Sequence, residues 1–440
     1  MLLGAIGILL ASVLLVVSVY KGAQTYYAAP IAAIVVFLFN RMPLLTSFTD
    51  VFIPGMARAF SSLFFIIFCG SVLGQLYTVT GAADALASGL MRVFCGKNPT
   101  PEKQRFWGLV TIYLVAGGMS MAGCSGFVCV LMAYPIAVSI LKQLQISRRC
   151  LAVVAFAPTC FALILPSSPQ IYNVLPTTIM GVPSTAGLIP GLIGGAIVEI
   201  GSFIYVLNLL KREQGKGFVE LQNDARFQKE RESTPNFFLS LLPLAVVFVC
   251  FNALNMPVWV AVSLASILML VLFHGHIGDG SGQAVTELLG NACRMAAYNI
   301  GNVTVVSGFG MAVTASPTFT GMIERAMNSN MQPLVLLALV IALLTGASGS
   351  ASAAISASLP ELSGMLLAQG VSPGAIARVT SCAAATLDTL PTNGVVLTVT
   401  DLTGMKQKDT YFPIAVVTVI LTTLALVVNI VMLVAFPWMA

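Results

Sequence analysis

The sequence predicts an all-α polytopic membrane protein built from two inverted-topology repeats, each with a helical hairpin and a broken transmembrane helix. Three observations carry that expectation. Of the 440 residues, 58% are hydrophobic and only 8% are charged, whereas soluble domains carry roughly 25% charged residues. Pro135, Ser147 and Pro166 recur as Pro360, Ser372 and Pro391, each 225 positions later. The basic residues, finally, fall on one face of a membrane only if the second half lies upside down relative to the first.

The elements follow in order. The apolar run 1–20 has no basic n-region and no A-x-A cleavage site, so it reads as a first span rather than a signal peptide. Further spans are expected at 25–41 and 57–79. The stretch 106–143 reads as a hairpin, because 106–122 supplies about 25 Å of helix before Gly123-Cys-Ser-Gly126 interrupts it. A broken span at 150–178 and a closing span at 185–210 complete a first repeat, 1–210. The one sizeable polar stretch, 211–236, holds six Lys/Arg and five Asp/Glu and reads as a cytoplasmic linker. The second repeat, 237–440, offers counterparts at 237–255, 257–273, 290–316, 332–368, 374–403 and 411–436. Arg58 and Gly74 match Arg294 and Gly310 at an offset of 236, and the offset falls to 225 by the hairpin tips.

Charge fixes the orientation. Arg92, Lys97, Lys103 and Arg105 precede the first hairpin, and Lys142, Arg148 and Arg149 follow it. The matching places in the second half hold Glu324 with Arg325, and the uncharged Gly370-Val-Ser-Pro373. Lys406 and Lys408 precede the last span, whereas the turn at 181–183 has no charge. A central loop in the cytoplasm of a bacterial-type inner membrane, with both termini outside, satisfies every count.

Chemistry is expected where the helices are interrupted. Leu165-Pro-Ser-Ser-Pro-Gln-Ile-Tyr-Asn173 and Asp388-Thr-Leu-Pro-Thr-Asn-Gly394 place polar, non-helical backbone inside apolar segments. A hydrocarbon core tolerates that only where protein buries it or a cavity is lined by it, and paired breaks point to a carrier's solute site. Helix ends there favour an anion. The expected solute ligands are Ser125, Ser348 and Ser350 at the hairpin tips, Ser167, Ser168, Gln170 and Asn173 in the first break, and Thr389, Thr392 and Asn393 in the second. Asp388 is the main candidate for coupling to H+ or Na+, because a carboxylate at a helix centre costs about 2.5–3.5 kcal/mol unless it pairs, protonates or faces water. Glu199, amid Gly187, Gly191 and Gly195, is the second. Arg378 lies about 15 Å along the helix from Asp388 and reads as snorkelling to the outer interface. The glycines and serines also fit ordinary helix packing.

Other classes lack parts. No G-x-x-x-x-G-K-[ST] motif occurs, which removes ATP-driven transport. His274 and His276 sit together at a span end, leaving a serine nucleophile without a base. No metal-ligand spacing is present, and the nine cysteines form no CxxC pair. Neither an enzyme, nor a resident cofactor or metal, nor a nucleic-acid partner is expected. An uncoupled anion channel or facilitator remains the alternative to a coupled carrier.

On three stretches the chain resembles the gluconate:proton symporter (GntP) family of the ion transporter superfamily. These are Ala284-Val-Thr-Glu-Leu-Leu-Gly290 leading into Arg294, the first break from Leu165 to Asn173, and above all Leu387-Asp-Thr-Leu-Pro-Thr-Asn-Gly394. The resemblance implies an elevator-type secondary carrier of organic-acid anions, commonly proton-coupled, with dimerisation usual for the class. The family's histidine- and proline-rich first break is replaced here by Pro-Ser-Ser-Pro-Gln, and Thr392 stands where related permeases place His. Both departures point from a gluconate-type sugar acid to a smaller hydroxy- or simple carboxylate.

Overall fold

A computed structural model describes the chain apart from residues 1, 96–99, 122–123, 125, 220–234, 255, 278–279 and 328–330. Most of the expected linker, 211–236, therefore lies outside the described residues. The described helices form two sets of nine in the same order. The first comprises α1 (Leu2–Tyr20), α2 (Thr25–Phe39), α3 (Leu44–Thr80), α4 (Ala82–Cys95), α5 (101–121), α6 (Gly126–Gln143), α7 (148–164), α8 (Ile171–Met180) and α9 (Leu188–Glu213). The second comprises α10 (Phe237–Asn252), α11 (Val258–Leu272), α12 (Gly282–Thr314), α13 (Pro317–Met327), α14 (Pro333–Ser348), α15 (Ala351–Ala368), α16 (Pro373–Thr386), α17 (Gly394–Thr403) and α18 (Gln407–Ala435). Among the described residues no strand forms.

Equivalent helices run antiparallel where they meet. On the α3–α12 pair Gly55 packs on Gly308, while Gln75 meets Met295. On the α9–α18 pair Gly194 faces Asn429 and Gly201 faces Leu421. Residue numbers rise on one helix as they fall on the other. Two copies related by an axis along the membrane normal would run parallel here; an axis in the membrane plane inverts them, as found.

Several boundaries differ from expectation. The spans expected at 57–79 and 290–316 begin earlier, so that α3 has 37 residues and α12 has 33. At 1.5 Å per residue both exceed a hydrocarbon core of about 30 Å. In α3 a π-helical turn at Phe48–Phe52 precedes Pro54; the wider turn accommodates a proline that cannot donate to the ladder. The short helices α4 and α13 were not expected. Both carry charge, Asp84 and Arg92 on one and Arg325 on the other, and at 14 and 11 residues neither reads as an apolar span.

The repeat register also slips. Pro135 and Pro360 lie inside α6 and α15, whose first residues, Gly126 and Ala351, are 225 apart. Ser147 and Ser372 are helix N-caps, each accepting a backbone N–H through its side chain. Beyond that point α7 ends at Ile164 and α16 at Thr386, and the left-handed C-cap glycines of α8 and α17 are Gly181 (φ 64°) and Gly404 (φ 65°). The offset there is 222 to 223. Pro391 therefore corresponds to Pro169, and Asp388 stands where the first break has Pro166.

Burial separates the elements by role. Every residue of α16 from Gly374 to Thr386 is buried, and α6 is nearly so. By contrast, α1 exposes Leu2, Leu3, Leu9 and Val13. A helix enclosed on all sides cannot face lipid, so α16 and α6 lie within the protein, α16 against α18 and α6 against α3, whereas α5, α8 and α14 each keep an exposed apolar side, with Leu114, Ile171 and Leu343 among its residues.

Candidate functional site

Each hairpin tip rests on its own repeat's break and reaches the helix after the other break. At the first tip, the Gln170 amide donates to the carbonyls of Ser120 (2.6 Å) and Cys124 (2.9 Å). Gly126 and Phe127, opening α6, pack on Val395 and Gly394 at the start of α17. At the second tip, a Cβ on Gly346 would sit 3.0 Å from Leu387 Cβ, so glycine lets α14 lie against the second break. The backbone N–H of Ala351, first residue of α15, faces the Asp388 carboxylate.

Asp388 joins the two halves. It is 5% exposed, and its Oδ2 accepts a hydrogen bond from the Tyr172 hydroxyl on the first turn of α8. Among the described residues its Oδ1 has no hydrogen-bond partner. A buried carboxylate oxygen without a donor is costly, and a proton or a bound cation would relieve that cost.

The first break is held by charge. Arg378, on α16, is 1% exposed rather than snorkelling to an interface. Its Nε and Nη2 donate to Ala186 O (3.1 and 2.8 Å), its Nη1 to Ile164 O (3.0 Å) and its Nη2 to Asn173 Oδ1 (3.0 Å). Ser167 is exposed with φ 63°, a left-handed conformation unusual for a side-chain-bearing residue, and its N–H donates to Ser184 O (2.9 Å). Ser168 is buried, and its carbonyl accepts from Asn173 Nδ2 (3.1 Å).

The second break is held by neutral groups. Tyr411 OH donates to Thr389 O (3.1 Å), and Gln407 donates to Pro391 O. Both donors lie on α18. Thr389 Oγ1 donates to Thr418 Oγ1 (2.6 Å), and Asn393 Oδ1 caps α17 by accepting from Val395 N (2.8 Å) and Val396 N (3.2 Å).

The expected ligands therefore divide. Gln170, Asn173, Thr389 and Asn393 use their polar atoms to hold the breaks and tips in shape. Ser167, Ser168 and Thr392 lie in the breaks; Ser168 Oγ accepts from Gln170 N (3.4 Å), and among the described residues no such tie falls on the side chain of Ser167 or Thr392. Ser350 Oγ lies 3.2 Å from Ser352 Oγ. Ser125 lies outside the described residues, as does the side chain of Ser348. Glu199 is half-buried on α9, its Oε2 has no hydrogen-bond partner among the described residues, and Cys160 neighbours both it and Tyr172.

Three functional candidates escaped the sequence reading. Tyr172 is one, since a tyrosine in an apolar helix is ordinary. Asp401 on α17 is another: it accepts from Asn302 Nδ2 (3.3 Å), whose Oδ1 accepts from Thr25 Oγ1 (2.5 Å). Arg148, read as a loop charge, is instead buried, with its Nε on Thr403 O (2.6 Å) at the C-terminus of α17. A cation there suits the helix dipole. Among the described residues no group of three or more His, Cys, Asp or Glu could hold a metal ion.

Comparison with known proteins corrects the family. The model of the Na+/H+ antiporter family matches residues 1–206, and nothing supports the gluconate:proton symporter resemblance. That resemblance rested above all on proline-interrupted polar runs, which any carrier with broken helices requires, so they do not discriminate between families, and the stretch from Ala284 to Arg294 does not carry it alone. The uncharacterized transporter YxjC of Bacillus subtilis (strain 168) is 27% identical over 467 residues, covering 94% of this chain and 96% of that protein. The crystal structure of the Alcanivorax borkumensis YdaH transporter aligns over 90% of this chain and 89% of its own, at 16% identity and a TM-score of 0.39. The chain is an all-helical, polytopic membrane transporter whose first 206 residues match the Na+/H+ antiporter family.

Proposed function

We propose that the protein is a secondary transporter in which Asp388 carries the coupling cation, H+ or Na+, during uptake of a small hydroxy- or simple carboxylate. The observation that carries this reading is the buried Asp388 carboxylate, with one oxygen on Tyr172 of the opposite half and the other without a hydrogen-bond partner among the described residues. Loading that oxygen with a cation changes the contact between the halves, and a carrier needs such a contact to respond to its ion. The hydroxyls of Ser167, Ser168 and Thr392, with the tip serines, give the solute hydrogen bonds. The basic loops favour insertion in a bacterial-type inner membrane with the linker in the cytoplasm.

A second reading, exchange of Na+ for H+ with no organic solute, is favoured by the family match to residues 1–206. Proteoliposomes separate the two. Uptake of lactate, 3-hydroxybutyrate or citrate driven by an imposed pH or Na+ gradient supports the first reading. Na+-dependent dissipation of a pH gradient without any carboxylate supports the second. Carboxylate flux indifferent to both gradients would reject coupling altogether.

A further inference from the structure

We propose that Arg378 is a positioning residue for the Asp388 carboxylate, acting through Asn173 and Tyr172; this rests on the coupling role proposed above. A broken helix leaves its last carbonyls without intrahelical donors. In the first break the Arg378 guanidinium supplies one, bonding Ile164 O at the end of α7, and it adds two bonds to Ala186 O in the turn before α9. All its acceptors are neutral, so the charge is held for geometry and not for an ion pair. A planar fork of donors fits these divergent acceptors; an ammonium cannot.

The site is built to admit that side chain. Gly187 has φ 62°, and a Cβ there would lie 2.8 Å from Arg378 Cβ and Cγ. A Cβ on Gly191 would lie 3.2 Å from Arg378 Nε and 2.4 Å from Pro166 Cγ. The four-residue glycine spacing on α9, which reads as helix packing in the sequence, thus makes room for the guanidinium and the break proline.

From Arg378 the constraint passes to the coupling site. Its Nη2 holds Asn173 Oδ1, and Asn173 Nδ2 in turn holds Ser168 O and Ser184 O (3.1 and 3.4 Å). Asn173 is thereby fixed on the first turn of α8, and its chain neighbour Tyr172 donates to Asp388. One helical turn is tied at adjacent residues to Arg378 on α16 and to Asp388 just beyond its end. With that turn loosened, the hydroxyl no longer orients the ionised carboxylate, so capture of Na+ weakens and protonation becomes easier.

The test uses detergent-purified full-length protein. Thermal stability is followed in NaCl titrations at fixed pH and acid titrations at fixed NaCl, because a ligand of the folded form raises apparent stability by mass action. The response lost in Asp388→Asn defines the coupling site. Arg378→Lys, Asn173→Ala and Tyr172→Phe should each shift the half-saturating cation concentration of that response at least fivefold, upward in the NaCl titrations and toward less acid in the acid titrations, because the Tyr172 hydroxyl bonds the ionised carboxylate. The Arg378→Lys/Tyr172→Phe double variant should shift it no further than the larger single change. A structural residue would lower the cation-free midpoint temperature and leave half-saturation in place, and that result, or independent multiplying shifts in the double variant, overturns the proposal. Should Arg378→Lys not fold, Asn173→Ala decides by the same criterion. A cation response untouched by Asp388→Asn refutes the coupling role itself, whereas a response that needs Asp388 and Tyr172 but ignores Arg378 and Asn173 refutes only the positioning role.

Discussion

Gly191→Ala tests whether α9 is shaped around the first break. The added methyl would lie 2.4 Å from Pro166 Cγ, 2.8 Å from Pro166 Cδ and 3.2 Å from Arg378 Nε. Ordinary carbon contacts begin near 3.5 Å, so about 1 Å of movement is required. The proline ring has no rotamer that clears the space, and overpacking of this kind costs roughly 1–3 kcal/mol. If the guanidinium yields as well, it gives up a charge-assisted bond to Ala186 O, worth about 1.5–3 kcal/mol. Moving the guanidinium does not relieve the Pro166 contact, so the expected loss is at least that of the overpacked proline, about 1–3 kcal/mol, a substantial part of a typical folding stability of about 5–15 kcal/mol. The assay is the midpoint of thermal unfolding in detergent, compared with Gly118→Ala, where a Cβ meets nothing within 4 Å, and Gly201→Ala, where it meets only the flexible end of Leu421 at 3.1 Å. Gly191→Ala should fall well below both. A midpoint equal to that of Gly118→Ala would refute the packing argument, since it would mean that Pro166 and Arg378 are free to move away.

Gln170→Leu removes the donor shared by Ser120 O and Cys124 O; with buried acceptors unpaired, the first tip should loosen by about 1–3 kcal/mol, seen as faster amide exchange over 119–124 but not over 346–351. Asn393→Ala should cost about 1 kcal/mol through loss of the α17 N-cap while Asn393→Ser, an equally good cap that adds no buried charge, is nearly neutral in stability; equal losses in the two unfolding midpoints would count against a capping role. Single cysteines at Gly181 and Gly404, the equivalent C-caps, should be labelled by a membrane-impermeant thiol reagent from opposite faces of sealed vesicles, and labelling from one face would contradict the inverted arrangement.

The parts of this fold legible in the sequence are those dictated by uniform apolar length and by interrupted helices. The two breaks, the hairpins and the antiparallel halves all follow from that pattern. The register inside the breaks was not legible, because the first break has a proline at each end, and matching Pro391 to Pro166 is as good by sequence as matching it to Pro169. Arg378 was misplaced for a related reason: its acceptors are backbone carbonyls and one amide from distant helices, and no local spacing announces them. Roles within the site were mixed for a physical reason too. Hydroxyls and amides near a break can face a solute or repair the backbone, and Thr389, Gln170 and Asn393 do the second. Tyr172 becomes informative only once Asp388 is seen beside it, since neither residue lies in the other's repeat.

The most direct measurement is carboxylate accumulation in proteoliposomes containing wild-type or Asp388→Asn protein under an imposed cation gradient. The account predicts that the wild type accumulates solute against its gradient, whereas Asp388→Asn only equilibrates it, with solute exchange retained. Gradient-driven accumulation by Asp388→Asn at the wild-type level would contradict it.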